Sequence, residues 1–435
     1  MQTPPIVVLG GGPAGAAAAA LLARHGARVL VVERARFPRH HVGESLQPAT
    51  FTLLAEHLGL DFSDAGFARK YGAVYVWGER TAPWSVLFDE RLDADLPGLT
   101  EADLLAGDYE HAWQVDRATF DHRLLEAAAA AGAEVRQEWA AVEPIRDGER
   151  VTGVRLRDPS GALHDQPAQV VLDCTGQGCF LGRRLGQTRL VGDLRATATY
   201  AYFEGAGGVP GPLGRHVQWV VSLPQGWAWF IPTSPTRTSV GLVHRLKEKL
   251  SLDRFRELLA PAGLPLEGAT LAEPERPLRH SRDWSFTHKR FVGPGWMLVG
   301  DAACFVDPIL SGGVDFAIRG AFSAALAVLE GTEAAAARYA DTLARDYRAY
   351  LRLARYWYGN NRHVDGLFWE AHRAIPAGSA STPMRAFVYL TSGRYAADRH
   401  LKVFADWQER RMFQALGVDA AALAEARQRG VDRPR

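Results

Sequence analysis

Lysine is scarce in this chain. Of 50 basic residues only five are lysine: Lys70, Lys247, Lys249, Lys289 and Lys402. Cysteine is scarcer still. Cys174, Cys179 and Cys304 lack metal-ligand spacing, so neither a metal site nor a disulfide scaffold is expected. Neither sign of charge is in excess, with 50 basic against 49 acidic residues. That argues against a nucleic-acid partner, which calls for a basic surplus. Heptads, low-complexity tracts and fixed-period repeats are absent. The first apolar run is broken by glycines and a proline, so it reads as neither a signal peptide nor a membrane span. What remains is a cytoplasmic protein of 435 residues with no membrane partner, long enough for a large core and two or three domains.

What is present begins at the N-terminus. The run IVVL (6–9) suits a buried parallel strand. Gly10, Gly12, Ala14 and Gly15 follow within GGGPAG, and then a helix-favouring AAAAALLARHG. A second apolar run ends at Glu33, 21 residues beyond Gly12. Glycines there allow a tight turn and the close approach of a pyrophosphate. The helix N-terminus faces its charge, and the acid suits a ribose hydroxyl. This combination marks a nucleotide site.

Three later segments name the nucleotide. GWMLVGDAACFVD (295–307) resembles the stretch by which aromatic-hydroxylase-type flavoproteins hold the FAD ribityl chain, with Asp301 as its contact. QVDRATFDHRLLE resembles another segment of that group and would place Arg117 near the flavin or its phosphates. VVLDCTGQG (170–178) resembles a third. With no second glycine fingerprint, reduced flavin is expected from a partner flavin reductase. The fold implied is mixed α/β: a Rossmann-like FAD domain of the aromatic-hydroxylase type with an inserted antiparallel sheet and a C-terminal helical region. The expected boundaries are 1–75, 105–190 and 285–335 for the FAD domain, 76–104 and 191–284 for a substrate-side sheet, and 336–435 for the helices. The segment YWYGNNRHVDGLFWEAH is expected to close the substrate pocket.

Four features carry the chemistry. Gly43-Glu44-Ser45-Leu46 precedes a helical pattern, with Ser45 as a candidate N-cap. Lys70 precedes Tyr71-Gly72. Trp227 and Trp229, in WAWFIP, share one face of a strand, since side chains alternate. Last, DPILSGGV (307–314) turns into a helix, where backbone N–H groups make an anion site.

Together and in this order, these features resemble the flavin-dependent halogenases, over roughly residues 5–375. The resemblance implies that reduced FAD, O2 and chloride or bromide yield hypohalous acid, which passes to the amine of Lys70 and then, as electrophilic halogen, to an electron-rich ring. It implies that Gly312 and Gly313 seat the halide, that Ser45, Gly313 and Val314 lie along the flavin, and that Trp227, Trp229 and Leu310 wall the passage to the substrate. Two positions depart from the family. The Ser-Ser-Gly-Val-His usual there is Ser311-Gly312-Gly313-Val314-Asp315 here, and Asp315 competes with halide if it faces the site. Leu310 replaces a glutamate of the free-tryptophan enzymes, which points to a phenol, pyrrole or similar ring, free or held on a carrier protein or peptide. Other readings of the same residues are an aromatic or peptide-side-chain hydroxylase, a prenyl-lipid reductase and a flavoprotein without turnover.

Overall fold

The computed structural model describes residues 3–77, 83–92, 98–185, 188–282, 285–359 and 382–415. Most of the segment expected to close the pocket, from residue 360 on, lies outside the described residues.

The first sheet has six strands, in the order Val292–Gly293, Trp296–Leu298, Val171–Asp173, Ile6–Leu9, Val29–Glu33 and Glu134–Gln137. All pair in parallel except the Val292–Gly293 edge. Ile6–Leu9 and Val29–Glu33 are buried along their whole length. That explains why they read as unbroken apolar runs, since helices cover both faces of a parallel sheet. In helix Pro13–Arg24 the stretch Ala14 to Leu22 is entirely buried. Its alanines let it pack against helices Arg117–Ala130 and Gly313–Glu330.

The second sheet has eight strands. Thr270–Leu271, Thr197–Glu204, Arg237–His244, Gly226–Pro232, Val217–Leu223, Gly72–Val76 and Trp84–Leu87 follow in order, and Arg279–Arg282 also pairs with Thr197–Glu204. It is antiparallel apart from the parallel pairing of Val217–Leu223 with Gly72–Val76. The chain therefore joins this sheet at Gly72, inside the 1–75 segment. Alternation splits its side chains cleanly. Trp227, Trp229 and Ile231 enter an aromatic core with Tyr75, Tyr200 and Trp357. Ala228 and Phe230 pack on the opposite face with Phe255 and Leu258.

Several connections unite the halves, two of them through secondary structure. A short ribbon pairs Ala68–Lys70 with Ala112–Gln114. The long helix Glu333–Gly359 sends Tyr347 into the core of the first sheet and Trp357 into that of the second.

One expectation is corrected here. The helix after GESL spans Pro48–Leu58 with Gln47 as N-cap, and Ser45 instead forms an isolated bridge with Gln114. Proline is favoured at the first helical position and keeps its predecessor out of helical conformation, so Pro48 sets the start.

Candidate active site

The nucleotide end is defined by what cannot be added to it. Gly10 has a φ of +101°, and a Cβ there would lie 2.4 Å from the Cys174 carbonyl oxygen. A Cβ on Gly15 would lie 1.8 Å from the Gly10 oxygen. At Gly12, by contrast, a Cβ would meet only Arg39 Nη2, at 3.2 Å. Gly10 and Gly15 thus shape the turn, and Gly12 leaves room above it. Gly12 caps the helix Pro13–Arg24 without a side chain, which leaves the helix-start N–H groups for an anion. Glu33 is buried, and its carboxylate accepts from Gly11 N at 2.7 Å and Ala35 N at 2.8 Å. Each oxygen keeps a further lone pair for a ribose hydroxyl.

Asp301 comes to the same place from the other end of the chain. Gly300, with φ +60°, packs so closely that a Cβ would sit 3.0 Å from the Ala14 Cβ. Burial raises the Asp301 carboxyl to about 7, against the opposing pull of Arg117. Arg117 itself is buried and committed. It pairs with Asp121 through Nε at 2.8 Å and Nη2 at 3.0 Å, and Nη1 donates to the Val42 and Gly43 carbonyls at 2.9 and 3.2 Å. It therefore anchors the segment leading into Glu44. An open cradle over Gly12, an uncapped helix start, Glu33 and Asp301 together suit FAD.

Lys70 ends its strand 2% exposed. Its Nζ donates to the Leu46 carbonyl at 2.9 Å and lies 5.4 Å from the centre of the Phe88 ring. Burial alone lowers its pKa to about 7. The next residue after Leu46 reaches the other motif: Gln47 Nε2 donates to the Leu310 carbonyl at 3.0 Å. From the sheet side, Ser311 Oγ donates to Gln218 Oε1 at 2.8 Å, and Gln218 pairs with Ala73, three residues beyond Lys70. Lysine and glycine turn, 240 residues apart, are thus tied by two short bridges. Glu44 is buried, accepts from the Tyr202 hydroxyl at 2.6 Å, and is raised by desolvation.

At the turn, Ser311 adopts a φ of +54° and the helix Gly313–Glu330 starts without a side-chain cap. A Cβ on Gly312 would lie 2.7 Å from Tyr350 Cε1, so that ring occupies the room a second serine would need. A Cβ on Gly313 would lie 3.0 Å from Phe305 Cε2. Val314, next along the helix, is half-buried. Asp315 is 1% exposed and accepts from Arg319 Nε at 2.8 Å, while Arg319 Nη1 donates to Asp346 at 2.7 Å. It faces an internal ion-pair network.

Trp227 and Trp229 lie 5.9 Å apart, centre to centre, in one core with Ile309 and Leu310. Trp229 donates to Ser239 Oγ at 3.1 Å. Trp227 Nε1 donates to the Tyr358 hydroxyl at 2.7 Å, and that hydroxyl lies 3.0 and 3.1 Å from the Asp307 carboxylate oxygens. Gln47 and Gln218 were not singled out from sequence, and Tyr358 only as part of the segment expected to close the pocket. Of the first two, only Gln47 carried a signal, standing before Pro48 at a helix start.

A family model described as tryptophan halogenase matches residues 5–101 and 98–428. The chain belongs to this family of flavin-dependent halogenases. It is similar to the 1H-pyrrole-2-carbonyl-(peptidyl-carrier protein) chlorinase of Pseudomonas fluorescens, at 32% identity over 330 residues and 72% of each chain. It is also 32% identical to the tryptophan 2-halogenase of Chondromyces crocatus, over 71% of this chain and 58% of that protein's length. Among solved structures, the myxobacterial chondrochloren halogenase CndH, a variant of the FAD-dependent halogenases, aligns with a TM-score of 0.74 at 31% identity over 92% of each chain. The chain is an FAD-dependent halogenating enzyme, and FAD and halide are its cofactor and co-substrate. Among the described residues no helix is long and apolar enough to cross a membrane.

Proposed function

We propose that this halogenase modifies a phenol, pyrrole or similarly activated ring, free or tethered to a carrier, with Lys70 as the amine that carries halogen and a flavin reductase as partner. The single observation behind this is the burial of Lys70, whose pKa of about 7 leaves a large neutral fraction at neutral pH. Reduced FAD with O2 supplies the oxidation that converts halide to hypohalous acid. The lysine lone pair then attacks halogen; the N–halogen bond forms, the O–halogen bond breaks, and the nitrogen's proton joins the departing hydroxide as water. The ring takes the halogen and releases a proton. The Leu46 carbonyl holds Nζ in place, and Gly312 and Gly313 at the uncapped helix start offer backbone N–H groups to halide. The homologous chlorinase named for a carrier-bound pyrrole supports the substrate class. Leu310 supplies no carboxylate for a cationic ring intermediate, so free tryptophan is a poor substrate.

The test is halogenated product per O2 consumed, with a flavin reductase and either halide. Lys70→Ala should bind FAD and consume O2 but lose product by a factor of about 100 or more. Lys70→Arg should fail almost as badly, because guanidinium keeps the charge without a usable lone pair. An arginine variant that retains most of the coupling, or a product one oxygen heavier rather than one halogen, would overturn the reading.

A further inference from the structure

Beside Trp227 lies a cavity of about 400 Å3 that the chemistry above does not use. That is the size of a small-molecule site. Its lining includes Trp77, Val243, His244, Arg245, Arg355 and Tyr358. Tyr358 marks its inner end, since the same hydroxyl meets Trp227 Nε1 and the Asp307 carboxylate. The same side chain thus touches both the cavity and the segment that leads into the proposed halide seat.

The polar groups are arranged around Asp193. Its carboxylate accepts from Arg355 Nε at 2.7 Å and Nη2 at 3.0 Å, and its carbonyl accepts from Arg245 Nη2 at 2.8 Å. Two guanidiniums face one carboxylate, which leaves a net positive charge at this end. Each guanidinium has five N–H donors, more than Asp193 takes up. His244 turns the other way: it is 1% exposed, and its Nε2 lies 3.0 Å from Thr199 Oγ1 on the face of the sheet opposite Val243 and Trp227.

We propose that this cavity is an outer substrate site selecting anionic ring compounds: the ring lies against Trp77 and Val243, and a carboxylate or phosphate oxygen meets Arg245 and Arg355. The assignment draws on the halogenase reading only for the kind of molecule that arrives. The binding event needs neither halide, O2 nor Lys70.

Binding is therefore measured by calorimetry on the oxidised FAD holoenzyme and on its Lys70→Ala variant, without turnover. The probes are pyrrole-2-carboxylate, neutral pyrrole-2-carboxamide and 4′-phosphopantetheine. Arg355 is half exposed and Arg245 is exposed, so the preference for anions should be about tenfold rather than thousandfold. Carboxylate binding about tenfold tighter than carboxamide binding, and lost in Arg245→Gln and Arg355→Gln, supports the proposal with a free acid as ligand. Tighter 4′-phosphopantetheine binding with the same dependence would overturn the ring contact, since that molecule carries the anion without a ring. Asp193→Asn separates recognition from architecture: it removes the counter-charge and keeps both cations, so anion affinity should hold or rise. Equal affinity for carboxylate and carboxamide would overturn the proposal, as would Asp193→Asn weakening anions as much as Arg355→Gln. None of these outcomes depends on whether Lys70 carries halogen.

Discussion

Around the six-stranded sheet the glycine turns that shape the site work through backbone, with Glu33 and Asp301 added to them; beside the eight-stranded sheet the site is made of side chains. Gly10, Gly15 and Gly300 act by lacking atoms, because carbonyls and methyls of neighbouring turns already fill the space. Lys70, Trp227 and Tyr358 act through one polar atom each, held by partners from remote segments. A backbone-defined site is intolerant of added volume. A side-chain-defined site can be refilled with apolar atoms, and at Lys70 the fold carries the energetic cost of a buried amine.

The largest expected effect exposes that cost. Between about pH 7 and 10.5 the unfolded chain holds a proton on Lys70 that the folded chain lacks, so wild-type stability rises with pH through this window. The slope from this group is at most ~1.4 kcal/mol per pH unit. Lys70→Met removes it. The variant should be more stable than wild type by several kcal/mol below pH 7, with the gain fading toward pH 10.5. Denaturant titrations at pH 6.5, 8 and 9.5 measure this; a pH-independent difference would place Lys70 in a hydrated site.

Next in size is the contrast between two glycines of one turn. Gly15→Ala forces a methyl to 1.8 Å from the Gly10 oxygen and should cost about 3 kcal/mol or more. Gly12→Ala meets only the far end of Arg39 and should leave apoprotein stability within about 1 kcal/mol. Its FAD affinity should nevertheless fall, and Gly12→Val should abolish binding. Thermal melts of apoprotein and flavin titrations separate the two effects, and full flavin occupancy in Gly12→Val would sink the assignment of the cradle.

The smallest effect is expected at Tyr358→Phe. It unpairs Trp227 Nε1 and takes a hydroxyl from Asp307, which should cost about 1–2 kcal/mol. Product per O2 should drop several-fold while FAD affinity is unchanged. A drop in FAD affinity instead would show that the two sheets are coupled more tightly than their separate cores indicate.

How much was legible follows the same division. Strand, glycine turn, helix, strand and acid lie within 33 residues, and each follows from local geometry, so the nucleotide end could be read directly. The shared face of Trp227 and Trp229 was also local, a matter of strand alternation. The start of the helix after GESL was misread because Ser45 is a good cap by type, whereas Pro48 outweighs it by restricting the backbone. Tyr358 falls in the segment expected to close the pocket, but its pairing with Trp227 and Asp307 could not be read from a helical run where aromatics ordinarily fill cores.

The sequence by itself determined that a nucleotide turn opens the chain, that a lone lysine precedes Tyr71-Gly72, and that a glycine turn starts a helix after Asp307, because these rest on spacing and residue type. Only the tertiary structure decided what those residues can do. Asp315 could have faced halide or core, and Arg319 and Asp346, drawn in by helix packing, turned it inward. Lys70 could have been an ordinary surface ammonium. It became a buried amine with a pKa of about 7 because Leu46, Phe88 and the sheet around it displaced water, and desolvation is a property of the assembled fold, not of any stretch of chain.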